Sequence, residues 1–137
     1  MTPEQFADSL VAAFAESLVG AFRTSDAASY FAHFHPDATF LFHDTPGRIE
    51  SRAAYEEMWA EWERDAGFRV LACESTSQRV QEYGDTAVFT HDVHTVRLVE
   101  GAEDEVFERE TIVLRREGDS WTCVHEHLSP DPAHAAS

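Results

Sequence analysis

The chain has 137 residues, enough for one domain with its own core, and it carries 26 Asp and Glu against 10 basic residues, for a net charge of −16. This acidic excess repels phosphate backbones and anionic membrane surfaces, so it argues against nucleic-acid and membrane partners. The amino terminus lacks the basic start and apolar run of a signal peptide, and we expect a cytoplasmic protein.

The first segment predicts two helices. Thr2-Pro3-Glu4-Gln5 carries an amino-terminal capping pattern, and apolar residues at four-residue spacing follow it as far as Phe22. Ser25 or Asp26 caps a second, shorter helix that ends at His35-Pro36.

The rest of the chain predicts a strand, a third helix and then a series of hairpins. Phe40 to Phe42 is a short apolar strand, and Ser51 caps a helix that ends near Gly67. Turn residues then separate four runs rich in β-branched and aromatic residues. These predicted strands are Phe68 to Tyr83, Thr86 to Val99, Val106 to Arg116 and Trp121 to Ser129.

Helices followed by a meander of strands are typical of an α+β domain, in which amphipathic helices cover one face of a curved antiparallel sheet. We predict a single domain over residues 1–129 and a flexible carboxy-terminal tail over 130–137, which is rich in Pro and Ala.

Three segments, spread over nearly the whole chain, resemble the nuclear transport factor 2-like superfamily, and within it the SnoaL-like and ketosteroid isomerase-like branch. They are Tyr30-Phe31-x-x-Phe34-x-x-Asp37-Ala38-Thr39, Ser51-Arg52-x-x-Tyr55 and Trp121-x-x-Val124-His125-Glu126-His127-Leu128-Ser129. The resemblance implies a cone-shaped fold, with the sheet wrapped around the helices, a pocket between them, and a homodimer formed through the outer sheet face.

The resemblance also implies which side chains face the pocket. The inward residues would be Val88, Thr90, Asp92, His94, Arg109, Thr111, Val113, Val124, Glu126 and Leu128. The residues on the opposite face, at the dimer contact, would be His91, Trp121, Cys123, His125 and His127. A shift of one residue in strand register would exchange the two sets.

Four of the inward residues carry ionisable groups, and we predict them as catalytic: Asp92, His94, Arg109 and Glu126. A histidine oriented by Asp92 can transfer protons near neutral pH, while Arg109 can stabilise developing negative charge. The alternative is that Arg109 only neutralises a buried carboxylate.

A second group would contact the substrate. It comprises Asp44, Tyr55, Trp59, Thr90, Thr111 and Leu128. The aromatic members could equally be core residues of the third helix. Steroid isomerase chemistry is not expected, because Phe42 stands where the family's catalytic aspartate would lie, and the second acid would fall near Thr111.

Two further chemistries are open at this level. His125 and His127 could reach one metal ion with His43 or His91, but such spacing is weak, and we predict no metal and no other cofactor. Cys73 and Cys123 could pair, although two reduced, buried thiols are favoured.

The sequence therefore predicts a SnoaL-like pocket protein for a small-molecule ligand, able to act as a cofactor-independent acid/base enzyme of isomerase, lyase or cyclase type. The alternative is a non-catalytic ligand-binding, dimerisation or assembly module.

Overall fold

The computed structural model describes residues 9–134. Its helices are α1 (Leu10–Arg23), α2 (Ala27–Phe31) and α3 (Arg52–Ala66). Ser9, Asp26 and Ser51 cap their amino termini with side-chain oxygens that accept backbone N–H bonds. Gly67 ends α3 in a left-handed conformation with φ of 62°, which glycine adopts without steric cost.

The first predicted helix begins later than expected. Ser9 has an extended backbone and is the amino-terminal cap of α1, so a helix continuous from Pro3 is wrong at Ser9. The predicted cap at Thr2-Pro3-Glu4-Gln5 lies outside the described residues. The second helix ends at Phe31 rather than at His35-Pro36, because the chain is already extended from Phe34.

The strands are β1 (Phe34–Phe42), β2 (Arg69–Tyr83), β3 (Thr86–Val99), β4 (Ala102–Glu117) and β5 (Ser120–Pro130). They form one sheet in the order β1-β5-β4-β3-β2. The neighbours from β2 to β5 are antiparallel, but β1 pairs with β5 in parallel. The sheet is therefore mixed rather than purely antiparallel as predicted.

Irregular pairing bends the sheet at several points. The ladder shifts register within β2 between Val70 and Ala72, and again between Thr76 and Arg79. On β5 an extra residue, Val124, lies between the partners of Val113 and Leu114. Each bulge increases the local twist and bends the strand that carries it.

The core lies between the helices and one face of the sheet, which we call the inner face. From α1 it receives Val11, Ala15 and Leu18, and from β1 and β3 Phe40 and Phe89, all nearly inaccessible to solvent. The rings of α2 and α3 pack edge to face in the same cluster. The architecture confirms the predicted α+β class.

Within residues 9–134, no helix combines the length and apolar character needed to cross a membrane.

Pro130 is the last residue of β5, and the Asp131 amide donates to the Phe107 carbonyl at 3.0 Å. The His134 ring stacks on Phe107 with a centroid separation of 4.0 Å. A flexible tail beginning at residue 130 stays a prediction.

Candidate active site

A cavity of about 100 Å³ lies between the helices and the inner face of the sheet. Its helical wall is apolar and aromatic, whereas its strand wall carries acids and a histidine. The lining residues include Phe22, Tyr30, Tyr55 and Trp62 from the helices and His91, Arg97, Glu108, Glu110, Glu126 and Leu128 from the strands. Asp44, an exposed residue, lines the cavity at its edge and marks its opening to solvent.

On β3 and β4, the side chains that point to the inner face are the opposite set from the predicted one. On β3 the buried residues include Phe89, His91 and Val93, so the alternate residues point to the outer face. On β4 the buried residues are Ile112 and Leu114, and the cavity-lining Glu110 shares their face. The predicted inward placement of both strands is therefore wrong by one residue.

Three of the four predicted catalytic residues lie on the outer face. Asp92 and Arg109 are register partners there, and Arg109 is exposed. His94 Nε2 lies 3.2 Å from an oxygen of the surface residue Glu105. Only Glu126 faces the cavity, where it is 2% exposed.

The predicted substrate-binding residues also divide between the faces. Asp44, Tyr55 and Leu128 line the cavity. Thr90 and Thr111 are register partners on the outer face. Trp59 does not line the cavity; it is 1% exposed and packs in the core.

The outer face of β5 agrees with the prediction only toward its carboxyl end. His125 and His127 lie there, but Cys123 is fully buried in the core and Trp121 packs against that core. The bulge at Val124 explains the difference, because one extra residue reverses the side-chain alternation.

His91 and Glu110 form a short polar contact at the cavity wall. They are register partners on β3 and β4, and His91 Nε2 lies 2.6 Å from Glu110 Oε1. The other ring nitrogen of His91 lies 2.6 Å from Ser75 Oγ on β2. Burial raises the pKa of Glu110 to about 8 and lowers that of His91 to about 4. Both shifts favour the neutral forms, with Glu110 as the proton donor.

A second polar contact joins the helices to β5. The Tyr30 hydroxyl donates to Glu126 Oε1 at 3.2 Å and lies 3.0 Å from the Tyr55 hydroxyl. Burial, followed by the charge of Glu110, raises the pKa of Glu126 well above its ordinary value. Glu126 is therefore a neutral acid beside two phenols.

The third inward acid is Glu108, two residues before Glu110. Its Oε2 lies 2.6 Å from Nε2 of His43, which follows β1. Burial raises the pKa of Glu108 as well, and the His43 hydrogen bond opposes that rise. Three carboxyl groups thus share one poorly solvated space, and their mutual repulsion keeps part of them protonated.

The alternative chemistries find little geometric support. Within residues 9–134, no three His, Cys, Asp or Glu side chains are grouped so that they could hold a metal ion. His91, one of the residues considered with His125 and His127, lies on the opposite face of the sheet from them. Cys73 and Cys123 are both free thiols and buried, and burial raises the pKa of each.

Sequence reasoning missed His91, Glu108, Glu110 and Tyr30 as site residues. Alternation itself held a usable signal, because Ala87, Phe89 and Val93 are more apolar than Thr90, Asp92 and His94. The more apolar set is the one that faces the core, and it carries His91 inward with it.

The five-stranded mixed sheet, with helices on one face and a cavity beneath them, has the fold of the nuclear transport factor 2-like structures described below. Residues 11–133 match the family model described as the SnoaL-like domain. The chain belongs to the SnoaL-like domain family. The comparison with curated proteins finds no match.

Solved structures share this fold at low sequence identity. A ketosteroid isomerase-like protein from Erwinia carotovora atroseptica is 20% identical, with 94% of this chain and 98% of that chain covered and a TM-score of 0.74. A nuclear transport factor 2-like protein of unknown function in nutrient uptake from Rhodospirillum rubrum is 20% identical, with coverage of 90% and 99% and a TM-score of 0.76. A nuclear transport factor 2-like superfamily protein from Salmonella enterica is 16% identical, with coverage of 93% and 94% and a TM-score of 0.75. At such identities the likeness establishes the fold alone.

Proposed function

We propose that this SnoaL-like protein binds a small organic molecule in its cavity and transfers a proton on it, as a cofactor-independent isomerase, lyase or cyclase. The observation that carries the proposal is the 2.6 Å contact between Glu110 and His91 at the cavity wall. Glu110 takes the role of the acid/base group, and His91 positions it.

The geometry of Glu110 suits proton transfer. Its Oε1 is held by His91, so Oε2 is the oxygen that can meet a ligand. A pKa of about 8 lies close to neutral pH, where a general acid or base works best. In its ionised form, Glu110 would take a proton from a carbon next to a carbonyl group. The C–H electron pair would then form the enolate, and the same proton would return at another atom.

Tyr30, Tyr55 and Glu126 supply the opposite half of the reaction. The developing charge of an enolate lies on oxygen, and neutral hydrogen-bond donors in a dry site stabilise it. Glu126 is such a donor when it is protonated, as its raised pKa favours, and the two phenols adjoin it. Arg109 is not available for this role, since it lies on the outer face.

Exchange of C–H for C–D in heavy water tests the proposal without knowledge of the natural substrate. Butanone, cyclopentanone and aminoacetone would be incubated with the protein near neutral pH and followed by proton NMR. We expect faster exchange with at least one of them, and about 100-fold or greater loss of that rate in Glu110→Gln.

Glu105→Gln is the matched control. It makes the same change of charge on the same strand, but at an exposed residue that bonds only to His94 on the surface. Equal rates in both variants and the wild type would reject the acid/base role. Saturable ligand binding without exchange would favour the alternative, a non-catalytic ligand-binding module.

We also propose a homodimer that forms through the outer sheet face. Its support is the row of half-buried apolar residues on that face, including Val88 and Val113, beside His125 and His127. Sedimentation velocity of the wild type and of Val113→Glu tests it. A monomeric wild type would reject it.

A further inference from the structure

The three inward carboxyl groups share one arrangement. In each, one oxygen is bonded to a protein side chain: Glu108 to His43, Glu110 to His91 and Glu126 to Tyr30. The second oxygen of each group has no hydrogen-bond partner among the described residues.

Of the three acids, Glu126 gives the strongest evidence for a ligand in the cavity. The residue is 2% exposed, yet its Oε2 atom is not among the fully enclosed unpaired polar atoms, of which the described part of the chain has only Trp59 Nε1. Because Glu126 lines the cavity, that oxygen reaches the cavity space itself. An oxygen of a buried carboxyl group that reaches a cavity without a protein partner indicates a hydrogen-bonding ligand group there, and a cationic donor would hold Glu126 in the ionised form that accepts from it.

The carboxyl groups lie close enough for one small ligand to meet them. Glu108 and Glu110 are two residues apart on β4, about 6.5 to 7 Å by strand rise. Glu126 is diagonal to Glu110 across the β4–β5 pairing, at about 7 to 8 Å between backbones. Their side chains converge on the same cavity.

Among the described cavity-lining residues, no arginine is left free to form an ion pair with these acids. Arg97 is the one arginine among the described cavity-lining residues, and both its Nε and Nη2 bind Asp104, at 2.9 and 2.7 Å. The sequence contains no lysine. Buried carboxyl groups without a counter-charge resist ionisation, and a positively charged ligand would relieve that cost.

The helical wall offers the other half of a cation site. Phe22, Tyr30, Tyr55 and Trp62 line the cavity opposite the acids, and aromatic faces attract ammonium groups. We propose that the cavity binds a small organic cation, with an ammonium group donating to Glu108, Glu110 and Glu126 and an apolar part against these rings. The inference rests on the proposed ligand-binding role of the cavity and names the class of its ligand.

The volume limits the ligand's size. The cavity of about 100 Å³ is smaller than the roughly 150 Å³ void known to hold benzene, so the enclosed part of the ligand has about five non-hydrogen atoms. Isobutylammonium and isobutanol have five non-hydrogen atoms and isobutyrate has six, and the three differ in charge. They are suitable probes of the site.

The experiment is an NMR titration of each probe near neutral pH in about 0.15 M NaCl, which screens attraction to the acidic surface. We expect saturable binding of isobutylammonium at least about tenfold tighter than that of isobutanol, and none of isobutyrate. We expect Glu126→Gln to weaken the ammonium by about 10- to 100-fold, since a charged hydrogen bond is lost. Glu110→Gln provides the same comparison if Glu126→Gln does not fold.

Glu105→Gln is again the control, with an expected change below about twofold. Equal weakening by the inner and outer variants, or equal affinity for isobutylammonium and isobutanol, would overturn the inference. Ammonium binding without deuterium exchange would support the cation site and reject the proposed proton transfer. Deuterium exchange of butanone with no preference for the ammonium probe would support the proton transfer and reject the cation site.

Discussion

His91 Nε2 and Glu110 Oε1 lie 2.6 Å apart across the β3–β4 pairing, inside the sheet rather than on its surface. At this distance protonated Glu110 donates a hydrogen bond to neutral His91, and the pair as a whole carries no charge. Ser75 fixes the far side of the imidazole, so His91 cannot turn away without breaking a second contact.

The pair predicts how stability depends on pH. Between the ordinary pKa values of 4.5 for Glu and 6.5 for His, the unfolded chain holds one proton on His91 and the folded pair holds one on Glu110. The free energy of unfolding is then flat. Above pH 6.5 the unfolded chain loses its proton while folded Glu110 keeps its own up to about 8, so stability falls with rising pH by about 2 kcal/mol.

Urea denaturation at about pH 6 and pH 8.5 measures this loss, and Glu110→Gln is expected to remove it. The comparison between wild type and variant cancels the titration of the other histidines. On the acid side Glu110→Gln should lose stability below pH 6.5, and the wild type only below pH 4.5, since buried His91 resists protonation. An identical alkaline loss in both proteins would contradict the assignment to Glu110.

Tyr30→Phe should lower the free energy of unfolding by about 1 to 3 kcal/mol. The substitution removes one hydroxyl that serves both Glu126 and Tyr55, and both partners are buried. Tyr83→Phe is the matched control, because Tyr83 is 64% exposed, and its expected effect is within about 0.5 kcal/mol. Chemical denaturation of the two variants gives the comparison, and equal losses would contradict the buried contact.

The two tryptophans of α3 should separate stability from ligand binding. Trp59→Ala is expected to reduce the free energy of unfolding by about 3 to 5 kcal/mol, because a fully buried indole is lost from the core. Trp62 is half-buried and lines the cavity, so Trp62→Ala should cost less stability and weaken isobutylammonium binding. Denaturation and NMR titration of both variants measure the two effects. If Trp59→Ala folds and weakens isobutylammonium binding while Trp62→Ala does not, the assignment of Trp59 to the core and Trp62 to the ligand site is contradicted.

Arg109→Ala should leave both the cavity chemistry and the stability nearly unchanged. Arg109 is exposed on the outer face, and isolated surface charges contribute within about 0.5 kcal/mol. Deuterium exchange and urea denaturation measure the outcome. A loss of exchange in Arg109→Ala with normal exchange in Glu110→Gln would restore the site predicted from the sequence.

Local signals explain what could be predicted. Ser51 and Gly67 bound α3 in the structure as in the sequence, because a cap depends only on residues one turn away. The turns at Gly84, Gly101 and Gly118 were predictable for the same reason, since each adopts a positive φ.

Which face of the sheet a side chain occupies depends on distant partners. The predicted facing was wrong on β3 and β4 and agreed with the structure at the carboxyl end of β5. Glu110 stands in an acidic stretch of β4 that resembles a solvated surface, and only its pairing with buried His91 places it inside. A polar residue such as His91 also obscures the alternation of β3. The bulge at Val124 leaves no signal in the sequence, so the facing of Cys123 could not be predicted by counting residues.

The two register shifts in β2 have a consequence beyond curvature. β2 is an outermost strand of the sheet, and its free backbone N–H and C=O groups could template a strand from another molecule. The interrupted spacing of those groups opposes a regular intermolecular ladder, and so do the charges of Arg69, Glu74, Arg79 and Glu82. We therefore expect this edge of the sheet to resist open-ended polymerisation.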